Sequence, residues 1–370
     1  MIFVSGFTGR KWPGILWCLA ALFLLLYSGL TVVMLPYEEL IWLNLHAVEN
    51  GRFAWMISLV LMAWPAWRNL NLGAWLFILP LSSSVLLSLP LIKSGKLHQE
   101  FFHDSTSKYN LTFDFTKWLM GKVESTVPSE FVSPRNSTLK SLIYLPQKSG
   151  SKIPVLFLLH GGGFYQGTPA WMHGWASTIC DQGIAVVSVA YPLTPDHKFP
   201  SQINEIAATI HDLKASLSAK NIDTNSIFIA GSSAGGTLGL STALLHPETN
   251  VKGIIALYPI SDFTTTFSSI SDINTLKNNY QGVASDSSIS PLFQLKRNSP
   301  PLLLMHGKMD NIVAVDQSQR LFKKWVSLGN ECQFIELSWA SHSFEYPMFG
   351  PSGQLLENST LQFIEKYSKH

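Results

Sequence analysis

The chain has 370 residues, of which 46% are hydrophobic and only 14% charged, against about a quarter charged in ordinary soluble domains. A formal net charge of +2 excludes the strongly basic surface of a nucleic-acid-binding protein, and no basic patch interleaved with aromatics occurs. The three cysteines, Cys18, Cys180 and Cys332, fit neither a disulfide framework nor a metal-ligand spacing. A Cys180–Cys332 bridge is open in an oxidising compartment, but two buried free thiols are the preferred reading.

The charge deficit is concentrated at the start, where residues 1–92 carry seven charged side chains. Trp12 to Leu35 is a charge-free run of 24 residues, enough at about 1.5 Å per residue to cross a hydrocarbon core of about 30 Å. It is too long for the apolar part of a signal peptide, and more apolar segments follow it. Phe53 to Trp67 has 15 residues between Arg52 and Arg68, and reads as a short helix with a re-entrant or interfacial segment as its rival. Leu72 to Ile92 is a further span of 21 residues, interrupted by Pro80 and by Ser82, Ser83 and Ser84. Tryptophans 12, 17, 55, 64, 67 and 75 lie near segment ends or on their faces, as interfacial anchors do. The expectation is an N-terminal transmembrane region over residues 1–97, with two or three helices near 12–35, 53–67 and 72–92.

Arg10 and Lys11 favour a cytoplasmic N-terminus. Three crossings then place the remainder outside the cytoplasm, whereas two leave it inside, the direction in which Lys93, Lys96 and Lys108 pull. We take three, which makes the protein multi-pass with an extracytoplasmic second half.

From residue 98 the composition is that of a soluble protein. Residues 98–135 are polar and aromatic by turns, without a clear period. Strands are then predicted at Ser141–Leu145, Ile153–Leu159, Ile184–Tyr191, Ile227–Ala230, Gly253–Tyr258, Leu302–Met305 and Gln333–Leu337. Helical patterns such as Ser201–Ser218 and Gln317–Leu328 lie between them. This alternation predicts an α/β fold with a mostly parallel sheet covered on both faces. Residues 261–291, rich in Ser, Thr, Asp and Asn, read as an inserted cap, and residues 98–135 as a second cap element. The second domain is therefore placed at 98–370.

Two glycine-rich stretches follow predicted strands. Gly231-Ser232-Ser233-Ala234-Gly235-Gly236 contains G-x-S-x-G, a sharp strand-to-helix turn that exposes a serine hydroxyl. The strand Ile227–Ala230 precedes it, Thr237–Leu245 can form the helix, and the lysine of a phosphate-binding loop is missing. His160-Gly161-Gly162-Gly163-Phe164 is a loop able to turn N–H groups toward a developing oxyanion. Ser233 is the candidate nucleophile, and Gly162, Gly163 and Ala234 the candidate oxyanion donors. His160 reads as a structural brace.

A serine needs a base, and the base an orienting acid. The chain order Ser, then Asp or Glu, then His leaves His246, His306, His342 and His370. His342 follows the last predicted strand in a short loop and is preferred. His246 ends the elbow's own helix, His306 precedes the acid, and His370 is terminal. Asp310 follows the strand Leu302–Met305 and is the candidate acid; Asp316 competes but looks like a helix N-cap.

These residues resemble the hormone-sensitive-lipase-like branch of the α/β-hydrolases, the esterases with an HGGG loop, over roughly residues 135–370. Tyr191-Pro192-Leu193-Thr194-Pro195-Asp196-His197-Lys198-Phe199-Pro200 is similar to the family's Y-R-L-A-P-E-x-x-F-P stretch, and Ser341-His342-Ser343-Phe344 and the Asp310 loop match its pattern. Ser232 stands where the family usually has aspartate, as in related carbohydrate-acetyl and feruloyl esterases, and Pro192 where it has arginine. The resemblance implies an α/β-hydrolase fold, ester hydrolysis through an acyl-serine, and a helical cap over an acyl pocket. It does not extend to residues 1–92.

The expected function is a membrane-anchored serine esterase acting on short- or medium-chain acyl esters of a small molecule, lipid or glycan. An acyltransferase to a sugar or lipid hydroxyl is the alternative in the same fold, and a non-catalytic binding member the alternative outside it. The intact Ser–Asp–His set argues against the last. No cofactor or metal is called for, and the bilayer is the expected partner.

Overall fold

The computed structural model describes residues 12–32, 41–67, 77–102, 107–109, 111–121, 126–147, 152–265 and 273–368. Four helices come first: α1 (Trp12–Gly29), α2 (Ile41–Glu49), α3 (Arg52–Trp67) and α4 (Ile78–Phe102). α1, α3 and α4 pack together around several paired polar groups. Ser58 and Ser84 share a 2.6 Å hydrogen bond, Trp55 Nε1 donates to Ser88 Oγ at 3.2 Å, and Trp17 Nε1 donates to the Leu61 carbonyl at 2.9 Å. Large apolar side chains point outward: Leu16, Phe23 and Leu26 of α1 are 60%, 69% and 68% exposed, and Phe53, Val60 and Val85 are exposed as well.

The helices differ from the expected spans. α1 ends at Gly29, and residues 33–35 and 72–76 of the expected spans lie outside the described residues. The middle segment is a helix of 16 residues. α4 continues through Pro90 and past Ile92 to Phe102, across the expected domain boundary. Its second half is rich in helix-forming Lys, Leu, Gln and Glu, and Leu97, Phe101 and Phe102 pack into the core of the second half. The compositional break is therefore not a structural one. Among the described residues, α4 is the one helix long and apolar enough to cross a membrane; the apolar stretches of α1 and α3 are shorter.

α5 (Phe115–Met120) follows, capped by Asp114, whose side chain accepts from the Lys117 N–H. Then come β1 (Ser129–Val132), β2 (Lys140–Tyr144), β3 (Ile153–Leu159), α6 (His173–Asp181), β4 (Ala185–Val189), α7 (Ser201–Ser218), β5 (Ile222–Ser232), α8 (Ala234–Leu245) and β6 (Val251–Leu257). The chain finishes with α9 (Ile273–Gln281), α10 (Pro291–Gln294), β7 (Leu302–Gly307), α11 (Asp316–Ser327), β8 (Cys332–Leu337) and α12 (Pro351–Ser368).

The strands form one sheet in the order β1-β2-β4-β3-β5-β6-β7-β8. β1 and β2 run antiparallel to their neighbours, and β4 through β8 pair in parallel. Side chains alternate across a strand, and the two faces separate accordingly. Val155, Phe157, Leu159, Ile227 and Ile229 pack with α7, α8 and α11. Leu156, Leu158, Phe228 and Ala230 pack with α6 and α12. Both faces are buried, so the central strands read as continuous apolar runs.

β1 is an eighth strand that the sequence pattern does not signal, because it is a four-residue edge strand, mostly exposed. It also corrects the assignment of residues 98–135 to a cap: 98–102 belong to α4 and 129–132 to the sheet. α5 packs toward α12 and the N-terminal helices, through the Asp114 N–H to Gln354 Oε1 at 2.7 Å and the Arg52 Nη1 to the Trp118 carbonyl at 3.4 Å. All three cysteines are free; Cys180 is buried, as expected, while Cys332 is only partly buried.

The α2–α3 turn docks on the start of α12. The fully buried Glu49 accepts from the Ser352 N–H at 3.0 Å through Oε2 and from the Ser352 hydroxyl through Oε1, acting as a helix cap from a remote segment. The Arg52 guanidinium stacks 4.1 Å from the Phe349 ring centre. Burial pushes Glu49 up to about 8, against the pull of the two Ser352 bonds. A carboxyl whose folded value is raised contributes stability that is complete below its unfolded value and is lost as the pH rises through the folded one. Melting the full chain in detergent should thus show stability declining from about pH 5 to pH 9, and Glu49→Gln should remove that part of the decline. Parallel pH profiles for the two proteins would contradict this role.

Candidate active site

β5 delivers Ser232 and α8 begins at Ala234, so Ser233 occupies the turn itself, at φ 53° and ψ −121°. A non-glycine residue there stores about 1–3 kcal/mol of strain. It is held by the Ser233 N–H to the Leu257 carbonyl at 2.9 Å and the Thr237 N–H to the Ser233 carbonyl at 3.0 Å. The turn is this tight because Gly235 abuts the end of β3: a Cβ there would lie 2.3 Å from the Leu159 carbonyl oxygen. As the first residue of α8, Ala234 has an N–H with no acceptor inside its helix, at the positive end of the dipole.

The glycine loop leaves β3 beside this turn. Gly162 has φ +116°, and a Cβ on it would meet the Gln166 carbonyl oxygen at 2.1 Å. That carbonyl crowds the loop because Gly162 itself accepts from the Tyr165 and Gln166 N–H groups at 3.2 and 3.1 Å. His160 braces the loop from beneath. Its Nδ1 lies 2.7 Å from the Gly161 carbonyl oxygen, its ring stacks on Tyr191 at 4.3 Å, and the Tyr191 hydroxyl donates to the His160 carbonyl at 2.7 Å. Burial pushes the imidazole down to about 4, which keeps it neutral and structural.

Asp310 and His342 come from the loops after β7 and β8. These loops are tied together by the Lys308 N–H to the Leu337 carbonyl at 2.8 Å and the Met309 N–H to the Ala340 carbonyl at 3.0 Å. The His342 Nδ1–H donates to Asp310 Oδ2 at 2.7 Å. Asp310 Oδ1 accepts from the Ile312 and Val313 N–H groups at 2.8 and 2.9 Å. Burial disfavours the charge on Asp310, but His342 and His306 outweigh it and hold the carboxyl well below the usual range.

Ser233, His342, Gly161, Gly162 and Gly163 line one cavity of about 470 Å³. Tyr165, Trp171, Tyr346 and Leu276 complete its rim. Residues 275 and 276 of the expected cap at 261–291 lie in the lining, and none of the described residues of 98–135 does. A shallower depression of about 620 Å³ near Arg135 and His197 contains none of the three candidate catalytic residues.

The competing residues are elsewhere. His246 bonds Glu248 and Asn204 at 2.8 and 3.1 Å at the far end of α8. Asp316 starts α11, with Val315 at the cap position, and pairs with Arg320. His370 lies outside the described residues. His306 is fully buried, held by Ser318 Oγ at 2.7 Å and the Val313 carbonyl at 2.8 Å, and its Nε2 is 3.4 Å from Asp310 Oδ2. The reading of His306 as structural overlooked this contact with the acid. Sequence reasoning also missed Tyr258 and Glu345, which line the cavity beside His342. Glu345 had one local signal, a lone charge in an aromatic stretch three residues after the histidine.

A parallel sheet with its serine elbow after β5, its acid after β7 and its histidine after β8 defines the α/β-hydrolase class. Comparison with solved structures shows the same fold. A fungal esterase from Rhizomucor miehei superposes with a TM-score of 0.59 at 23% identity, over 74% of this chain and 91% of that one. The Francisella virulence factor BioJ does so with a TM-score of 0.58 at 21% identity, over 66% of this chain and 86% of that one. The family model described as BD-FAE matches residues 142–325. Among curated proteins, the chain is 26% identical over 217 residues to esterase LipC of Mycobacterium tuberculosis, covering 52% of this chain and 53% of that protein. The chain spans about half the length of the curated relatives it matches.

If Asp310 orients His342, Asp310→Asn should lower kcat for ester hydrolysis by about 10⁴-fold. The asparagine Oδ1 still accepts from Ile312 and Val313, while its amide faces Nδ1 and imposes the wrong tautomer. The melting temperature should fall as well, since the amide loses the charge that His342 and His306 favour; in protein that remains folded, a rate loss below about tenfold would remove Asp310 from this role.

Proposed function

We propose that the chain is a membrane-anchored serine esterase that hydrolyses carboxylic esters through an acyl-serine. The observation that carries this reading is the convergence of Ser233, the Asp310–His342 pair and the glycine loop on one cavity. Ser233 attacks the ester carbonyl as His342 takes its proton. The oxyanion forms against the N–H groups of Gly162, Gly163 and Ala234. His342 then returns the proton to the leaving alcohol, and water repeats the sequence on the acyl-serine. Each oxyanion donor contributes about 2.7–4 kcal/mol to the transition state. The naming of matched relatives as esterases supports the same chemistry.

The N-terminal helices support the membrane anchor. Ser58, Ser84, Ser88, Trp17 and Trp55 pair their polar atoms between these helices while Leu16, Leu19, Leu22 and Leu26 face out, the reverse of a helix face built for water. The 470 Å³ cavity suits a short or medium acyl chain. We place the catalytic half on the extracytoplasmic side, with protection from protease in sealed vesicles as the test of sidedness.

Fluorophosphonate should label the full chain once, and Ser233→Ala should abolish labelling while leaving the protein in the carbonate-washed membrane fraction. Labelling that survives Ser233→Ala would remove the nucleophile assignment, and release by carbonate would remove the anchor.

A further inference from the structure

Glu345 is a buried acid in the catalytic cavity for which the triad has no use. It is 3% exposed, lines the cavity, and accepts from the Tyr258 hydroxyl through Oε2. Its Oε1 has no hydrogen-bond partner among the described residues. Tyr258 in turn packs its ring on His342, with centroids 4.3 Å apart and planes at 49°. The tyrosine has little freedom to do otherwise. Its backbone sits at φ 37°, and its N–H is fixed to the Met305 carbonyl at 2.8 Å. Phe344 closes its other side edge-on at 5.2 Å.

The groups facing His342 come from three loops. Asp310, backed by His306, binds Nδ1 from the loop after β7. Tyr258 covers the ring from the loop after β6. Glu345 and Tyr346 follow in the histidine's own loop, and Ser232 and Ser233 end β5 against the same cavity. During catalysis the ring acquires a positive charge, and a nearby carboxylate that is itself buried stabilises it.

We propose that Glu345 is a second positioning acid for the proposed esterase reaction, holding Tyr258 against His342 through one oxygen and stabilising the imidazolium by its charge. The proposal rests on the serine-esterase reading. Burial raises the Glu345 carboxyl, while Tyr258 and the His342 charge lower it, so acid and imidazole respond to one another. A carboxylate beside His342 raises the pH at which the ring loses its proton. Activity needs the neutral ring, so this ionisation sets the acid limb of the pH profile of kcat/KM.

The test measures p-nitrophenyl butyrate hydrolysis by the full chain in detergent between pH 5 and pH 9. Glu345→Gln keeps an acceptor for Tyr258 but removes the charge, so the acid limb should move down by about 0.5–1 pH unit. Tyr258→Phe removes the donor that favours the ionised acid, so its limb should move the same way by less. The double variant should match Glu345→Gln. An acid limb unchanged in Glu345→Gln, or in Tyr258→Phe if the first does not fold, overturns the proposal. Ser233-dependent fluorophosphonate labelling of the wild type, run alongside, separates this failure from failure of the esterase reading, which alone abolishes labelling.

Discussion

The hydrogen bond between His342 and Asp310 joins residues 32 positions apart, and much of the second half of the chain serves to close it. Neither loop could hold its residue alone. The Asp310 loop is pinned by its own carboxylate, which accepts two backbone N–H groups, and the His342 loop by carbonyls that receive Lys308 and Met309. Those ties exist because β7 and β8 are parallel neighbours in register from Leu302 and Cys332 to Gly307 and Leu337. Parallel pairing sends both loops off the same edge of the sheet, which is also the edge where β5 ends in Ser232. Gly307 has no side chain, and a Cβ there would lie 2.3 Å from the Ala340 carbonyl oxygen. The distance between Asp310 and His342 is thus set by backbone contact rather than by side-chain reach.

The same loop system is held from outside by the N-terminal helices. Ser352 links them: its hydroxyl donates to Glu49 and accepts from Trp339 Nε1 at 3.0 Å. Trp339 lies three residues before His342. Ser94 of α4 donates to the Pro351 carbonyl at 2.9 Å beside that link. The segment from Trp339 to Ser352 therefore has its histidine and cavity residues in the middle, and at its end a helix start capped by a residue of the first fifty. Here the apolar helices and the second half of the chain share core residues, Val48 and Phe102 among them, so they form one packed body.

What could be read from the sequence depended on whether the signal was local. β3 was predicted at its observed residues, because Ile153–Leu159 is a continuous apolar run, as a strand buried on both faces must be. β5 was predicted as Ile227–Ala230 but runs from Ile222 to Ser232, since polar Asp223, Thr224 and Asn225 disguise its beginning and only pairing to β3 reveals it. β1 gave no pattern because an exposed antiparallel edge has little to bury. α4 crosses a compositional border because helix propensity and docking onto α12 outlast the apolar stretch. Ser233, Asp310 and His342 were nameable because elbow chemistry and chain order are properties of the string. The contacts of Tyr258 with His342 and of His306 with Asp310 were not, since they are made by strands that become neighbours only on folding.

The two acids near His342 are both buried, yet their protonation is pushed in opposite directions, and the partners of each explain why. Asp310 has two backbone N–H groups on one oxygen and His342 on the other, with His306 close behind. Four favourable partners overcome the cost of burying a charge, and the carboxyl is held low. Glu345 has the Tyr258 hydroxyl on Oε2, with its own N–H, the His342 charge and Ser232 as further favourable influences, and these do not offset its full burial. Burial then prevails, and its carboxyl is raised. A group held ionised throughout can orient an imidazole but cannot respond to it. Glu345 is pushed the other way, so of the two carboxyls Asp310 is the one held in the charged form that orients an imidazole.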